Sequence, residues 1–507
     1  MLLLLAYVSA LLGAMLFLAS LWQGQRGWWA EGSMGCVPAL PVLGSLLSLR
    51  GADPPHLILS RLAARYGDPY SLYLGPHLTV VVSSPALARE VLLHKGRVFG
   101  GRPRMVSTDL LSRGGCDVAF ADLGPCWRRQ RHLLYSASTG ARTEGSRLEA
   151  IVCQEAEALC CQVLARGDEG FDPDALLTGT VTNVICRLVF GSSYRPGDTE
   201  LETVMACING IAETAGNSGL VDTFPWLQVF PNQKLKKLRE SVRIRDELLT
   251  RKLREHQATL CPGQSRDLLD ALLHDQQAVG GAGGEAGRVA LTEDHVLMTA
   301  ADAFGAGVET TATTLRWAIA FLLHHPEVQT RVQGEMDAVV GAREPRLTDR
   351  GRLPLLEATI HEVLRIRPIA PLLIPHVALA DTSIGEHTIP KGTRVILNMW
   401  AIHHNPVTWD HPERFNPDRF VDGGDHRVSP GGFLPFGAGP RACVGEAVAR
   451  VQLFLLLSWL LQRFTFCPAP GHGLPDLQGR SGLILQPDSY WVCASPREGW
   501  AQGTGQQ

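Results

Sequence analysis

Ten consecutive residues, Phe436-Gly437-Ala438-Gly439-Pro440-Arg441-Ala442-Cys443-Val444-Gly445, follow the pattern F-x-x-G-x-R-x-C-x-G. The chemistry of that pattern centres on Cys443. A thiolate at this position can hold a haem iron, where it pushes electron density toward bound oxygen and favours breaking the O–O bond. Glycines 437, 439 and 445 let the backbone approach the sulfur, because no side chain intervenes. Backbone N–H groups can then damp the sulfur's charge and tune the iron. Arg441 offers a planar fork to an anionic propionate, and Phe436 can cover the face and exclude water. A lone cysteine is usually an ordinary small hydrophobe; five fixed positions in one short run point to a ligand instead.

A second run, Ala306-Gly307-Val308-Glu309-Thr310-Thr311, suits the opposite side of such a site. The small residues Ala306 and Gly307 would let a flat cofactor and a substrate come close to the backbone. Thr310 offers a hydroxyl that can compete for a helical hydrogen bond and hold water or dioxygen. Glu309 can relay protons, and cleaving O–O after two electrons needs two of them. Taken alone, Glu and Thr are ordinary helix residues. The element that must carry them is long: Thr292 is the N-cap, Glu293 and Asp294 sit in the first turn, and Pro326 ends the pattern after Leu323. About 33 residues would give about 50 Å, with the run near the middle.

Other pairs look supportive. Glu362 and Arg365 share a helix face, as do Trp127 and Arg131. Pro417-Asp418-Arg419-Phe420 follows further along. His403 and His404 suggest a metal site, but adjacent residues diverge on a helix, which favours a structural role.

With these runs in this order, the chain resembles the cytochrome P-450 family of haem-thiolate monooxygenases, from about residue 38 to about residue 495. The resemblance implies a mainly α fold with small β-sheets, a single haem-centred domain, haem b and O2. It implies that Arg441, Trp127, Arg131, Arg102 and His376 meet the haem propionates. It also implies that Glu362, Arg365 and Arg419 form a buried structural network, and that Thr310 and Glu309 are catalytic.

Composition fits an enzyme of this kind. The chain has 507 residues, 45% hydrophobic and 19% charged, with a net charge of −3, so nothing global favours nucleic acid. Length alone would allow about three domains, but no linker separates the signatures. Twelve cysteines include no C-x-x-C pair, which reads as reduced thiols. Residues 1–22 carry no charge and are long enough to span a bilayer as an anchor helix, and they lack the basic start of a cleaved signal. Residues 23–45 read as a proline-marked linker, 46–495 as the catalytic domain and 496–507 as a tail. Tyr70–Leu74 and Leu78–Val82, split by Gly75-Pro76, read as a hairpin. Gly280–Gly287 reads as a surface loop. The resemblance implies an endoplasmic reticulum anchor with the catalytic domain in the cytosol.

Runs beyond the haem signatures, among them Leu220–Trp226, Leu356–His361 and Pro371–His376, are similar to the steroid 17α-hydroxylase branch. That branch implies pregnenolone or progesterone hydroxylated at C17, with C17–C20 cleavage in some members. Arg245, Asp302 and Ala306 match positions beside the steroid slot. Where Asn is common the chain has Ile208, which leaves Asn209 or water to hold the steroid 3-oxygen. Electrons from NADPH imply an external NADPH-cytochrome P-450 reductase, since no dinucleotide fingerprint is present. Cytochrome b5 would meet a basic face at Arg350 and Arg450, with His361 where many members have Arg. An apolar Phe224–Phe230 segment precedes Lys234, Lys236 and Lys237, a pattern that suits either a membrane surface or a buried turn. Hydroxylation of another lipid or a xenobiotic stays open as an alternative, as does a non-enzymatic haem or lipid carrier.

Overall fold

The computed structural model describes residues 34–139, 147–167, 169–195, 197–215, 219–280, 289–421 and 431–498, together with residues 9, 13 and 14. The anchor expected over 1–22, most of the glycine-rich loop and the end of the tail lie outside the described residues. Among the described residues no helix is long and apolar enough to cross a membrane.

The domain is mainly helical. In chain order the helices that matter here are α1 (Pro125–Thr139), α2 (Arg147–Leu164), α3 (Asp174–Val189), α4 (Thr199–Ala215) and α5 (Gln233–Thr259). They continue as α6 (Glu293–His324), α7 (Pro326–Val339), α8 (Pro354–Ile366) and α9 (Glu446–Arg463). The main sheet uses β1 (Gly35–Cys36), β2 (Tyr70–Leu74), β3 (His77–Val82), β4 (His376–Val377) and β5 (Arg394–Leu397), in the order β1-β2-β3-β5-β4. A separate two-stranded sheet pairs β6 (Phe464–Pro468) with β7 (Val492–Pro496).

The hairpin is as expected: β2 and β3 run antiparallel, with Leu74 opposite His77. The segment expected as a linker behaves differently near its end. Gly35 and Cys36 pair with β2 and Val37 is buried, so the packed fold starts before residue 45. Gly44 has φ +62°, and a Cβ there would fall 2.3 Å from the Tyr73 carbonyl, so this turn requires glycine.

Helix α6 runs 32 residues through the centre, about 48 Å. Its start is fixed by a reciprocal cap: the Thr292 hydroxyl accepts from the His295 N–H, and His295 Nδ1 accepts from the Thr292 N–H. Residues 296–301 and 311–323 of α6 are buried on every side, which suits a helix packed against α3, α8 and α9. Helix α9, which starts just after Cys443, is buried from Val451 to Leu461. The cysteine loop is therefore held between two core helices.

Candidate active site

The loop before α9 positions Cys443. The Cys443 N–H donates to the Phe436 carbonyl at 2.9 Å, closing the loop on itself. Gly439 has φ +69°, and a Cβ there would lie 1.8 Å from the Leu92 carbonyl oxygen, so only glycine fits. Burial, with the charge of Glu446, holds the Cys443 thiol above its usual value, although the N–H groups of Gly445 and Glu446 and the charge of Arg131 oppose the rise. Those N–H groups belong to the start of α9, where partial positive charge favours a thiolate. The side chain is nonetheless exposed. Both facts hold if the sulfur faces an interior space: protein surrounds it, yet one side is open.

Beside that sulfur lies a cluster of cations. Arg131 Nη2 donates to the Ala442 carbonyl at 2.7 Å. Arg441 donates to the carbonyls of Gly100 at 2.6 Å and Val118 at 3.1 Å. Arg102 donates to Ala119 at 3.0 Å and Ile374 at 2.7 Å. The Trp127 indole donates to Val118 at 3.0 Å, and both Arg131 and Arg441 stack on its ring, at 5.5 and 4.7 Å. His376 Nδ1 binds the Phe99 carbonyl at 2.8 Å, and burial and Arg102 push it down to about 3, so the ring is neutral. Burial and mutual repulsion also depress Arg102, and burial depresses Arg441. Two carboxylates are close, Asp117 and Asp122. Burial and Asp302 push Asp117 up to about 8, so at neutral pH it is mostly uncharged. Three guanidiniums face Asp122 and an Asp117 whose charged form is disfavoured by burial and Asp302, which leaves an excess of positive charge. A dianionic planar group with a thiolate-bound metal fits this donor set.

The oxygen-side residues lie on α6 as the sequence implied, with one exception. Thr310 Oγ1 donates to the Ala306 carbonyl at 2.7 Å, the competing bond expected there. Ala306 is exposed in mid-helix while Phe304 and Val308 are buried. Gly307 does not face that side: a Cβ on it would lie 2.9 Å from Ile185 Cδ1, so its small size serves the packing of α6 on α3. Burial, then Asp174, raise the Glu309 carboxyl, while Gln486 and Arg316 oppose the shift. Gln486 Nε2 donates to Glu309 Oε1. Nothing in the sequence pointed to Gln486, which lies 177 residues away in a C-terminal segment without periodicity.

The structural network is present. Arg365 makes a two-pronged bond to Glu362, at 2.7 and 2.8 Å, and Arg419 Nε donates to Glu362 at 3.1 Å, all three being buried. His403 belongs to this core, where its Nε2 accepts from the Leu434 N–H at 3.1 Å, and His404 stacks on Trp400 at 4.0 Å. Both side chains thus pack and hydrogen-bond within this core.

Three expectations need correction. Asn209 stands on the outer face of α4 with Glu202, Ala206 and Glu213, all exposed, whereas Ile208 joins the core. Adjacent helix positions diverge by about 100°, so Asn209 does not take over from an inward-facing residue. Asp302 holds protein rather than open space: its Oδ2 accepts from the N–H groups of Val118 at 2.7 Å and Ala119 at 3.1 Å. Burial pushes it up to about 6, while the nearby Arg245 draws it down. Arg245 itself pairs with Asp246 at 2.8 Å. His361 is not a docking cation. Burial and Arg450 push it down to about 4, and its Nε2 accepts from Arg450 Nη1 at 2.9 Å. Arg450 also pairs with Glu446 at 2.9 Å and lies 4.9 Å over the Phe436 ring, and Arg350 pairs with Glu357 at 2.6 Å.

Comparisons with known proteins agree with this geometry. The family model described as Cytochrome P450 matches residues 34–494. A protein of Gallus gallus named steroid 17-alpha-hydroxylase/17,20 lyase is 52% identical, with 92% of each chain covered. One of the same name from Oryzias latipes is 50% identical, again with 92% of each covered. A zebra fish cytochrome P450 solved with progesterone superposes with a TM-score of 0.79 at 54% identity, over 88% of this chain and 100% of that one. The signature loop, the cation cluster and these matches place the chain in the cytochrome P450 family.

Proposed function

We propose that this chain is a steroid 17α-monooxygenase that hydroxylates pregnenolone or progesterone at C17. The observation that carries the reading is identity above 50%, across the whole catalytic domain, to a structure solved with progesterone and to a relative named for this activity. Haem bound at Cys443 would supply activation of O2 with electrons delivered one at a time.

The chain's own residues would do the rest. Cys443 would ligate the metal, with the N–H groups of Gly445 and Glu446 stabilising its charge. Arg102, Arg131, Arg441 and Trp127 would hold the propionates, with neutral His376 packed beside Arg102. Phe436, under Arg450, would cover the sulfur's other side. Thr310 would hold a proton donor at Oγ1, and Glu309, kept protonated more readily than an ordinary carboxyl, would resupply it. Ala306 would leave room for the steroid edge. Asp302 would act by pinning the 118–119 backbone over the slot.

Electrons would come from NADPH through a reductase docked near Arg350 and Arg450. Both arginines already carry an internal carboxylate partner, and His361 adds no charge. Cytochrome b5 would therefore find a weakened basic face, and C17–C20 cleavage would be minor. Membrane association at the endoplasmic reticulum is supported by the apolar 1–22 run. A second support is a surface where Trp226, Val229 and Phe230 are exposed beside exposed Lys234, Lys236 and Lys237. Product analysis tests the proposal: full-length enzyme with reductase and each steroid should give the 17α-hydroxysteroid as the main product. Tight spectral binding of lauric acid without turnover of either steroid would overturn it.

A further inference from the structure

In the small sheet of β6 and β7, Cys467 stands directly opposite Cys493. Both are present as thiols. The type of pair follows from its neighbours. The Phe466 N–H donates to Gln329 Oε1 at 2.8 Å and its carbonyl accepts from Gln329 Nε2 at 3.0 Å, so Phe466 turns its peptide groups away from β7. Val492 likewise exchanges both its bonds with Phe171, at 2.9 Å. Ladder bonds therefore fall at Thr465–Ser495 and Cys467–Cys493. A hydrogen-bonded antiparallel pair holds its Cα atoms ~5.5 Å apart, inside the ~4.4–6.8 Å that a disulfide spans. Its Cβ atoms, however, stand at the wide end of ~4.5–5.5 Å, beyond the ~3.5–4.5 Å of a relaxed disulfide, so bridging draws the strands together and gives a strained, easily reduced bond.

Residues opposite each other share a face of the sheet. Phe464, Phe466, Val492 and Ala494 fill the core, while Thr465, Cys467 and Ser495 are exposed on the other side. Cys493 shares that outer side but is covered, with 7% of its surface accessible. One thiol is thus open to a reagent and the other is shielded beside it, the arrangement of an attacking and a resolving cysteine.

We propose that Cys467 and Cys493 form a reversible dithiol–disulfide site, oxidised by a small disulfide such as glutathione disulfide. The Cys467 thiolate attacks one glutathione sulfur, forming a mixed disulfide and releasing one glutathione thiolate. The Cys493 thiolate then attacks Cys467 Sγ, forming the protein disulfide and releasing the second. Two protein thiols lose two electrons and two protons, and one glutathione disulfide becomes two glutathione molecules.

The location links this chemistry to the active site. Between the two cysteines the chain carries Leu485, whose N–H donates to the Ile369 carbonyl at 2.9 Å and whose carbonyl accepts from the Trp317 indole at 3.0 Å. Next to it is Gln486, the partner of Glu309. The disulfide ties together both ends of the segment that holds the Glu309 carboxyl.

The test uses full-length haem-loaded protein equilibrated over a range of oxidised-to-reduced glutathione, then alkylated and mapped by non-reducing peptide mass spectrometry. The expected product links the Cys467 and Cys493 peptides, is two hydrogens lighter, reverses with dithiothreitol and is absent from both C467S and C493A. Amide exchange across residues 482–487 should slow several-fold in the oxidised form. Alkylation of both thiols at every ratio, or Cys467 carrying only glutathione, overturns the site. Unchanged exchange at 482–487 in fully oxidised protein overturns its link to Glu309.

Discussion

The cofactor edge of this molecule and the edges proposed for steroid and redox partner are built by different means. At the cofactor edge, backbone does the positioning: Arg102, Arg131, Arg441 and Trp127 all donate to carbonyls, and Gly439 fits a turn that no other residue fits. At the other edges single side chains decide the outcome: Ile208 turns inward where Asn209 turns outward, and His361 braces Arg450 rather than facing a partner. Backbone-built sites tolerate little change, whereas side-chain-built ones can be retuned position by position.

That contrast can be broken most severely at the network beneath the cofactor edge. Glu362→Gln should cost about 3–5 kcal/mol, because two buried guanidiniums lose their carboxylate. Thermal melts read this as a large drop in midpoint with loss of haem retention. An unchanged midpoint would mean the ion pairs contribute nothing net.

On α6 the effect should be catalytic and not structural. Thr310→Ala keeps the fold and haem content but lowers product formation by ~100-fold while NADPH consumption continues. Single-turnover product yield against NADPH oxidised is the measurement.

The loop between the two edges should respond to pH. Asp117 has its folded value raised to about 8 against an ordinary value of 3.8. A carboxyl raised on folding stabilises the native state below its unfolded value, and this is lost as pH rises toward the folded one. Native stability should therefore fall between about pH 4 and pH 8. Asp117→Asn should flatten that slope, leaving only the part that Asp302, itself raised to about 6, contributes, so that the variant gains more stability over the parent at pH 8 than at pH 5, as read from denaturant midpoints.

The smallest effect is expected at the partner face. His361→Arg adds a cation beside Arg450 and removes an acceptor from it, while Arg450 keeps Glu446, so the face gains one positive charge to meet an acidic partner. Cytochrome b5 should then raise C17–C20 cleavage several-fold, with a steeper salt dependence. The ratio of androgen to hydroxysteroid with and without cytochrome b5 measures it.

What was legible in the sequence follows the same division. The signature loop, the α6 run with its Thr292 cap, the hairpin at Gly75 and the Glu362 network are local patterns in which residue type dictates backbone conformation or a same-face contact. Gln486 against Glu309 and the 118–119 backbone against Asp302 join segments distant in sequence through loops without period, so no local signal marks them. Gly307 and His361 show a further cause. Their types were read correctly as small and weakly basic, but which neighbour each would face depends on helix packing that the chain does not state locally.

The most direct test of the central claim is replacement of one atom. In full-length protein carrying Cys443→Ser, with folding verified by its melt, haem should be lost or show a ferrous–carbon monoxide band displaced from the parent's, and no 17α-hydroxysteroid should form. Parental spectrum and steroid turnover in that variant would contradict the account.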